Sequence, residues 1–146
     1  MTELLLSVHV LAAILAIGPI TVAASLFPRY VKEPAPGEAG AGTAAFLHRI
    51  CRGYALVGLA VPAFGFATAV QLGVLADAWL IASIILTAVA AGILAAAILP
   101  AQRRLLKAPG QSGAVSRLTG LTGVFNLLWV IVVVLMIVRP GSTAGA

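Results

Sequence analysis

Charged side chains are scarce in this sequence: they make up 9% of its 146 residues, whereas 62% of the residues are hydrophobic. A soluble domain carries about a quarter charged residues and just under half apolar ones. A water-soluble core of this size cannot hide so much apolar surface, so lipid must cover the remainder. The shortage of charge therefore excludes an ordinary soluble domain and indicates one integral membrane domain over residues 1–146.

Cysteine and buried charge are also lacking, and each shortage excludes a class of protein. The single cysteine, Cys51, excludes an internal disulfide and a cysteine-rich metal cluster. No Asp, Glu, Lys or Arg lies deep in an apolar run, which argues against an ion-coupled pump. The net charge is +5, but no aromatic residues interleave with the basic ones as a base-stacking surface requires. We therefore expect the lipid bilayer as a partner and no nucleic acid.

Four apolar runs define the expected architecture. They cover residues 4–27, 53–75, 78–99 and 118–138. The second helix is expected to begin earlier, at about Ala44, so the expected helices are 4–27, 44–75, 78–99 and 118–138, with polar loops at 28–43 and 100–117. Each run is long enough to cross a hydrocarbon core of roughly 30 Å as a helix. Helices are expected because lipid offers no hydrogen-bond partners to an open strand edge. Since the turn before Asp77 is short, the sequence predicts an all-α, antiparallel bundle of four transmembrane helices.

The basic residues predict the orientation of this bundle. Eight of the nine Lys and Arg residues flank the first and third connections, and only Arg139 lies on the other side. Cytoplasmic loops carry the excess of Lys and Arg in membrane proteins. We therefore expect both basic loops in the cytoplasm and both termini outside.

Small residues recur at the spacing that lets helices approach closely in lipid. The second run has Gly65, Ala69 and Gly73, and the third has Ala88, Gly92 and Ala96. The spacing predicts two close-packed seams, although alanine is common enough in this chain to produce part of the pattern by chance.

His9 is the most informative polar residue, because it lies five residues inside the first run with Ala12, Ala13 and Ala16 on its helical face. Ionisable groups within the hydrocarbon are costly and tend to face the bundle interior or a site. Two interpretations are open: His9 ligates haem iron or another metal, or it is a neutral imidazole hydrogen-bonded across the bundle. For haem, Met136 at a comparable depth is the candidate second ligand. Packing of its sulfur in the core or against lipid is the alternative.

Two other polar residues are expected at different depths in the membrane. His48 stands beside Arg49 at the other face of the membrane, tens of ångströms from His9 by helix rise, and is expected among the headgroups. Asn126 lies near the middle of the fourth run, where it can form an interhelical hydrogen bond worth on the order of 1 kcal/mol. A water-lined or quinone-binding path is the alternative interpretation of Asn126.

The first run also carries a resemblance to a known superfamily. The string Leu5-Leu6-Ser7-Val8-His9-Val10-Leu11-Ala12-Ala13, then Gly18, then Phe27-Pro28-Arg29-Tyr30, resembles the opening helix of a group of bacterial membrane proteins. The group includes the copper-resistance D proteins and the haem-containing J-type protoporphyrinogen oxidases. Within it the chain is most similar to the domain-of-unknown-function 2269 family.

The resemblance implies a bacterial plasma-membrane protein in which His9 ligates haem b and Arg29 is the arginine that closes the first helix. The oxidases carry a functional lysine in a later helix, and spans two to four of this sequence have none in their interior. The sequence also has no series of Met or His side chains that could pass copper along the bundle, which argues against copper transport.

Three classes of function follow from these observations, and whether the chain is an enzyme is open. The first is a haem-binding or redox membrane protein that uses His9. The second is a transport-related subunit for copper or a small solute. The third is a non-catalytic bundle that assembles with itself as a homo-oligomer or with a membrane partner.

Overall fold

The computed structural model describes residues 1–31, 38–108 and 110–141, and it is helical with no strand among them. Its helices are α1 (Thr2–Val31), α2 (Glu38–Val57), α3 (Ala60–Leu72), α4 (Ala78–Ile93), a π-turn (Leu94–Ile98), α5 (Leu99–Lys107) and α6 (Ser112–Val138).

These elements form four segments that are long and apolar enough to cross a membrane. They are α1, residues 42–72 of α2 and α3, residues 78–107 from α4 to α5, and α6. The prediction of an all-α membrane protein built as a four-helix bundle is confirmed. The helices are longer than the apolar runs: α1 extends to Val31 and α5 to Lys107, because amphipathic ends continue past the hydrocarbon. The centre of the expected loop at 28–43 lies outside the described residues.

The second segment is interrupted between the end of α2 at Val57 and the start of α3 at Ala60, just before Pro62. Proline has no N–H, so the Gly58 carbonyl lacks its usual helical donor. It accepts instead from the Val61 N–H, with 3.1 Å between nitrogen and oxygen. The helix is therefore broken just before Pro62, whereas α1 continues through Pro19 and Pro28.

The third segment contains a π-turn, which the sequence did not predict. The Leu99 N–H donates to the Leu94 carbonyl, the five-residue spacing that defines this geometry. The extra residue rotates α5 relative to α4. As a result, Leu99, Gln102 and Leu105 all face the interior and are buried.

The core is divided unequally along the bundle. A large cluster fills the end where α1 stops and α2 begins, which we call the basic end; it includes Phe27, Cys51, Ile98, Leu118 and Phe125. A small cluster at the opposite end consists of Ala69, Val74, Trp79 and Leu80. Large apolar side chains cover the outside, as expected of a surface that meets lipid.

One of the two small-residue seams is wrong. A Cβ built on Gly92 meets no heavy atom within 4 Å, so no helix approaches that glycine closely. In the other seam, a Cβ on Gly65 would collide with the side chain of His9, whereas a Cβ on Gly73 meets no heavy atom within 4 Å. Regular spacing alone cannot distinguish a glycine at a contact from one that faces lipid.

Candidate functional site

The candidate site is built around His9, which projects from α1 toward α3. Its Nδ1 lies 2.8 Å from the carbonyl oxygen of Val61. A carbonyl can only accept, so Nδ1 carries the proton and donates it. This bond joins the first helix to the segment just after the break in the second, and it leaves Nε2 with the free lone pair.

Gly65 provides the space that the imidazole occupies. A Cβ at position 65 would lie 2.7 Å from Cε1 of His9 and 3.0 Å from Nδ1, closer than side chains tolerate. The ring therefore packs directly on the backbone of α3, one turn after the carbonyl that holds it. Val61 fixes the direction of the ring, and Gly65 fixes its distance from α3.

This arrangement has the form of a prepared ligand. Metal-ligating histidines commonly donate their other N–H to a backbone carbonyl, which sets the tautomer, orients the ring and raises ligand basicity. His9 is only partly buried, so the ring is not sealed inside the bundle. The sequence predicts a site at His9 and a helix contact at Gly65 but does not pair the two residues. The signal that could have paired them is the position of Gly65, a small residue on the next segment at about the same height along the bundle as His9.

The other histidine has different surroundings from those expected. His48 is buried, and its Nδ1 donates to Oε1 of Gln102 at 2.9 Å. The Gln102 amide in turn points Nε2 at Sγ of Cys51, 3.6 Å away, and Sγ lies 3.9 Å from the Ile20 carbonyl oxygen. The expectation that His48 lies among headgroups is wrong, because the π-turn places Gln102 inside the bundle as its partner.

Neither Met136 nor Arg29 is among the described contacts of His9. Met136 packs against the small cluster of Ala69, Val74, Trp79 and Leu80, whereas His9 contacts Val61 and Gly65. Arg29 is exposed in the last turn of α1, at the basic end.

Asn126 joins α6 to α1. Its Nδ2 donates to Oγ of Ser25 at 3.1 Å, an interhelical hydrogen bond of the expected kind. Its Oδ1 is buried without a partner, and so are Oγ1 of Thr122 and Nε1 of Trp129. These three residues are spaced four and three apart, which places them on one side of α6. They supply polar groups to the bundle interior that the described residues do not satisfy.

Comparison with known proteins adds no relative: no family model matches the chain, and no curated protein or solved structure is significantly similar to it. Within residues 1–31, 38–108 and 110–141, no group of three or more His, Cys, Asp or Glu side chains gathers as a metal site.

Proposed function

We propose that this chain is a haem-binding membrane protein in which Nε2 of His9 ligates the iron of haem b. The observation that carries the proposal is the hydrogen bond from Nδ1 to the Val61 carbonyl, with the ring seated on Gly65. That geometry commits the proton to one nitrogen and leaves the other as a ligand.

Haem suits a site that offers one imidazole. The porphyrin supplies four nitrogen ligands, so the protein needs to provide only an axial one, and histidine is a common choice. The bound group would supply one-electron chemistry at iron. The protein's own contribution is to hold the imidazole, keep its tautomer and increase its basicity through the Val61 carbonyl. The likeness of the first helix to the haem-containing superfamily supports the same assignment.

Among the described residues, His9 alone would hold the haem iron. The side chain of Met136 packs against the cluster that contains Trp79. We also propose that His9 lies in the outer half of a bacterial plasma membrane. Eight of nine basic residues are at the opposite end, which the positive-inside rule assigns to the cytoplasm.

The absorption spectrum of the detergent-purified protein tests the assignment of haem. Protein from haem-replete cells should show a Soret band, His9→Ala should lose it, and His48→Ala should retain it because His48 is bonded to Gln102 at the other end. A colourless protein that also fails to take up added haem would end the proposal. A Soret band that is lost in His48→Ala would show that the haem site lies at the basic end of the bundle and would contradict the assignment to His9.

Reporter fusions test the orientation separately. A reporter joined after Ala146 and one inserted at Gly37 in the first basic loop should give opposite signals, with the C-terminal reporter outside. A cytoplasmic C-terminus would overturn the proposed topology without bearing on haem.

A further inference from the structure

A groove on the outside of α2 is independent of the His9 site and has the polarity of a phospholipid. It has a volume of about 400 Å³ and is lined by Arg49, Ile50, Gly53, Tyr54 and Val57. These residues follow one side of a single helix, and Gly53 among them has no side chain. A Cβ placed there meets no heavy atom within 4 Å, so nothing in the protein fills the space.

The chemistry of the groove changes along its length. Arg49 is exposed and charged and precedes the uncharged run that begins at Gly53, whereas Val57 is 51% exposed and apolar. Eight residues of helix separate the two, a rise of about 12 Å. Tyr54 lies between them, with an amphipathic ring of the kind that sits at the headgroup boundary. A guanidinium at one end of a shallow apolar groove matches a lipid phosphate with its acyl chain beside it.

We infer that the groove binds one anionic phospholipid, with the phosphate on Arg49 and an acyl chain along Gly53 and Val57. Arg52 is also exposed and lies three residues after Arg49 on the helix surface, so two cations face the headgroup region. Their combined field favours a lipid with net negative charge over a zwitterionic one.

A second copy of the chain fits this surface less well. A two-fold axis along the membrane normal brings the same patch of both copies together at the same depth. Arg49 would then face Arg49 of the other copy. Like charges at close range are unfavourable, and the whole chain has only four acidic residues with which to neutralise them.

The test is native mass spectrometry of the full-length protein in mild detergent, titrated with phosphatidylglycerol or phosphatidylcholine. Wild-type protein should retain one phosphatidylglycerol more tightly than phosphatidylcholine. Arg49→Gln should weaken that binding about fivefold, as expected for one basic residue near a lipid headgroup. Gly53→Leu should weaken it by a similar factor while Arg49 is intact, because the new side chain fills the groove.

Two variants serve as matched controls. Arg104→Gln removes an exposed cation from α5 at the same end of the bundle, and Gly123→Leu adds a side chain where a Cβ on α6 also meets nothing. Both should bind phosphatidylglycerol as wild type does, and the thermal unfolding of all four variants should stay close to that of wild type. Wild-type binding by either Arg49→Gln or Gly53→Leu overturns the inference. A dimer that Gly53→Leu dissociates would also overturn it, because the groove would then be a protein interface.

Discussion

Gly65→Ala is the smallest change that should separate haem binding from folding. The added Cβ would lie 2.7 Å from Cε1 of His9, and ordinary contact begins at 3.4 Å, so the ring must retreat by about 0.7 Å. The hydrogen bond to Val61 is 2.8 Å long. A retreat of that size takes it past the limit of about 3.2 Å for N–H···O bonds. His9 stays in the chain but loses its fixed tautomer and direction.

The expected effects on stability and on ligand binding differ in size. Alanine replaces glycine in a helix with a gain of roughly 0.5–1 kcal/mol. Loss of one interhelical hydrogen bond in a membrane protein costs about 0.6 kcal/mol. The two terms nearly cancel, so the free energy of unfolding should change little. Losing the group that orients a ligating histidine typically lowers affinity by 10–100-fold.

The assay is a haem titration of detergent-purified apoprotein followed at the Soret band, with circular dichroism melting on the same samples. Gly123→Ala is the control, because a Cβ on that exposed α6 glycine meets nothing within 4 Å. Gly65→Ala should bind haem at least tenfold more weakly than this control while melting at a similar temperature. Equal haem affinity in the two variants would refute the role given to Gly65 and Val61.

Three further predictions concern the rest of the bundle. Gln102→Leu should lower the free energy of unfolding by about 1–3 kcal/mol, measured by thermal unfolding in detergent, because it leaves the buried His48 without its hydrogen-bond partner; a melting temperature equal to that of wild type would show that this network adds nothing. Gly92→Leu should change the free energy of unfolding by less than about 0.5 kcal/mol, since its side chain enters open space. Marked destabilisation would show that another helix packs closely on Gly92 after all. Met136→Leu should leave the haem spectrum unchanged, and a shifted Soret band would identify Met136 as an axial ligand after all.

The four membrane segments could be predicted from the sequence because lipid imposes a simple physical rule. A backbone in hydrocarbon must satisfy its own hydrogen bonds, so each long apolar run is a helix. These segments depend on composition, which is visible in one sequence.

The contacts between helices could not be predicted in the same way. Gly65 and Gly92 have the same small-residue spacing, yet only Gly65 contacts another helix. The burial of His48 depends on Gln102, which reaches the interior only because the π-turn adds a residue to one turn. No periodicity in residues 94–98 marks that turn. Rotations of one helix about its axis decide such contacts, and hydropathy does not determine them.

His9 shows both sides of this division. Its need for a polar partner could be predicted, because an imidazole among alanines in an apolar helix requires one. The identity of the partner could not be predicted, because it is a backbone carbonyl, which every residue of the next helix presents. The structure identifies it as the carbonyl of Val61.

Chemical rescue of His9→Gly tests the central proposal most directly. This variant removes the imidazole and leaves space for a free one beside Gly65. Purified His9→Gly should lack the wild-type Soret band in the presence of haem, and added imidazole should restore it with saturation. A His9→Gly protein that shows the wild-type band without imidazole would contradict the assignment of His9 as the haem ligand.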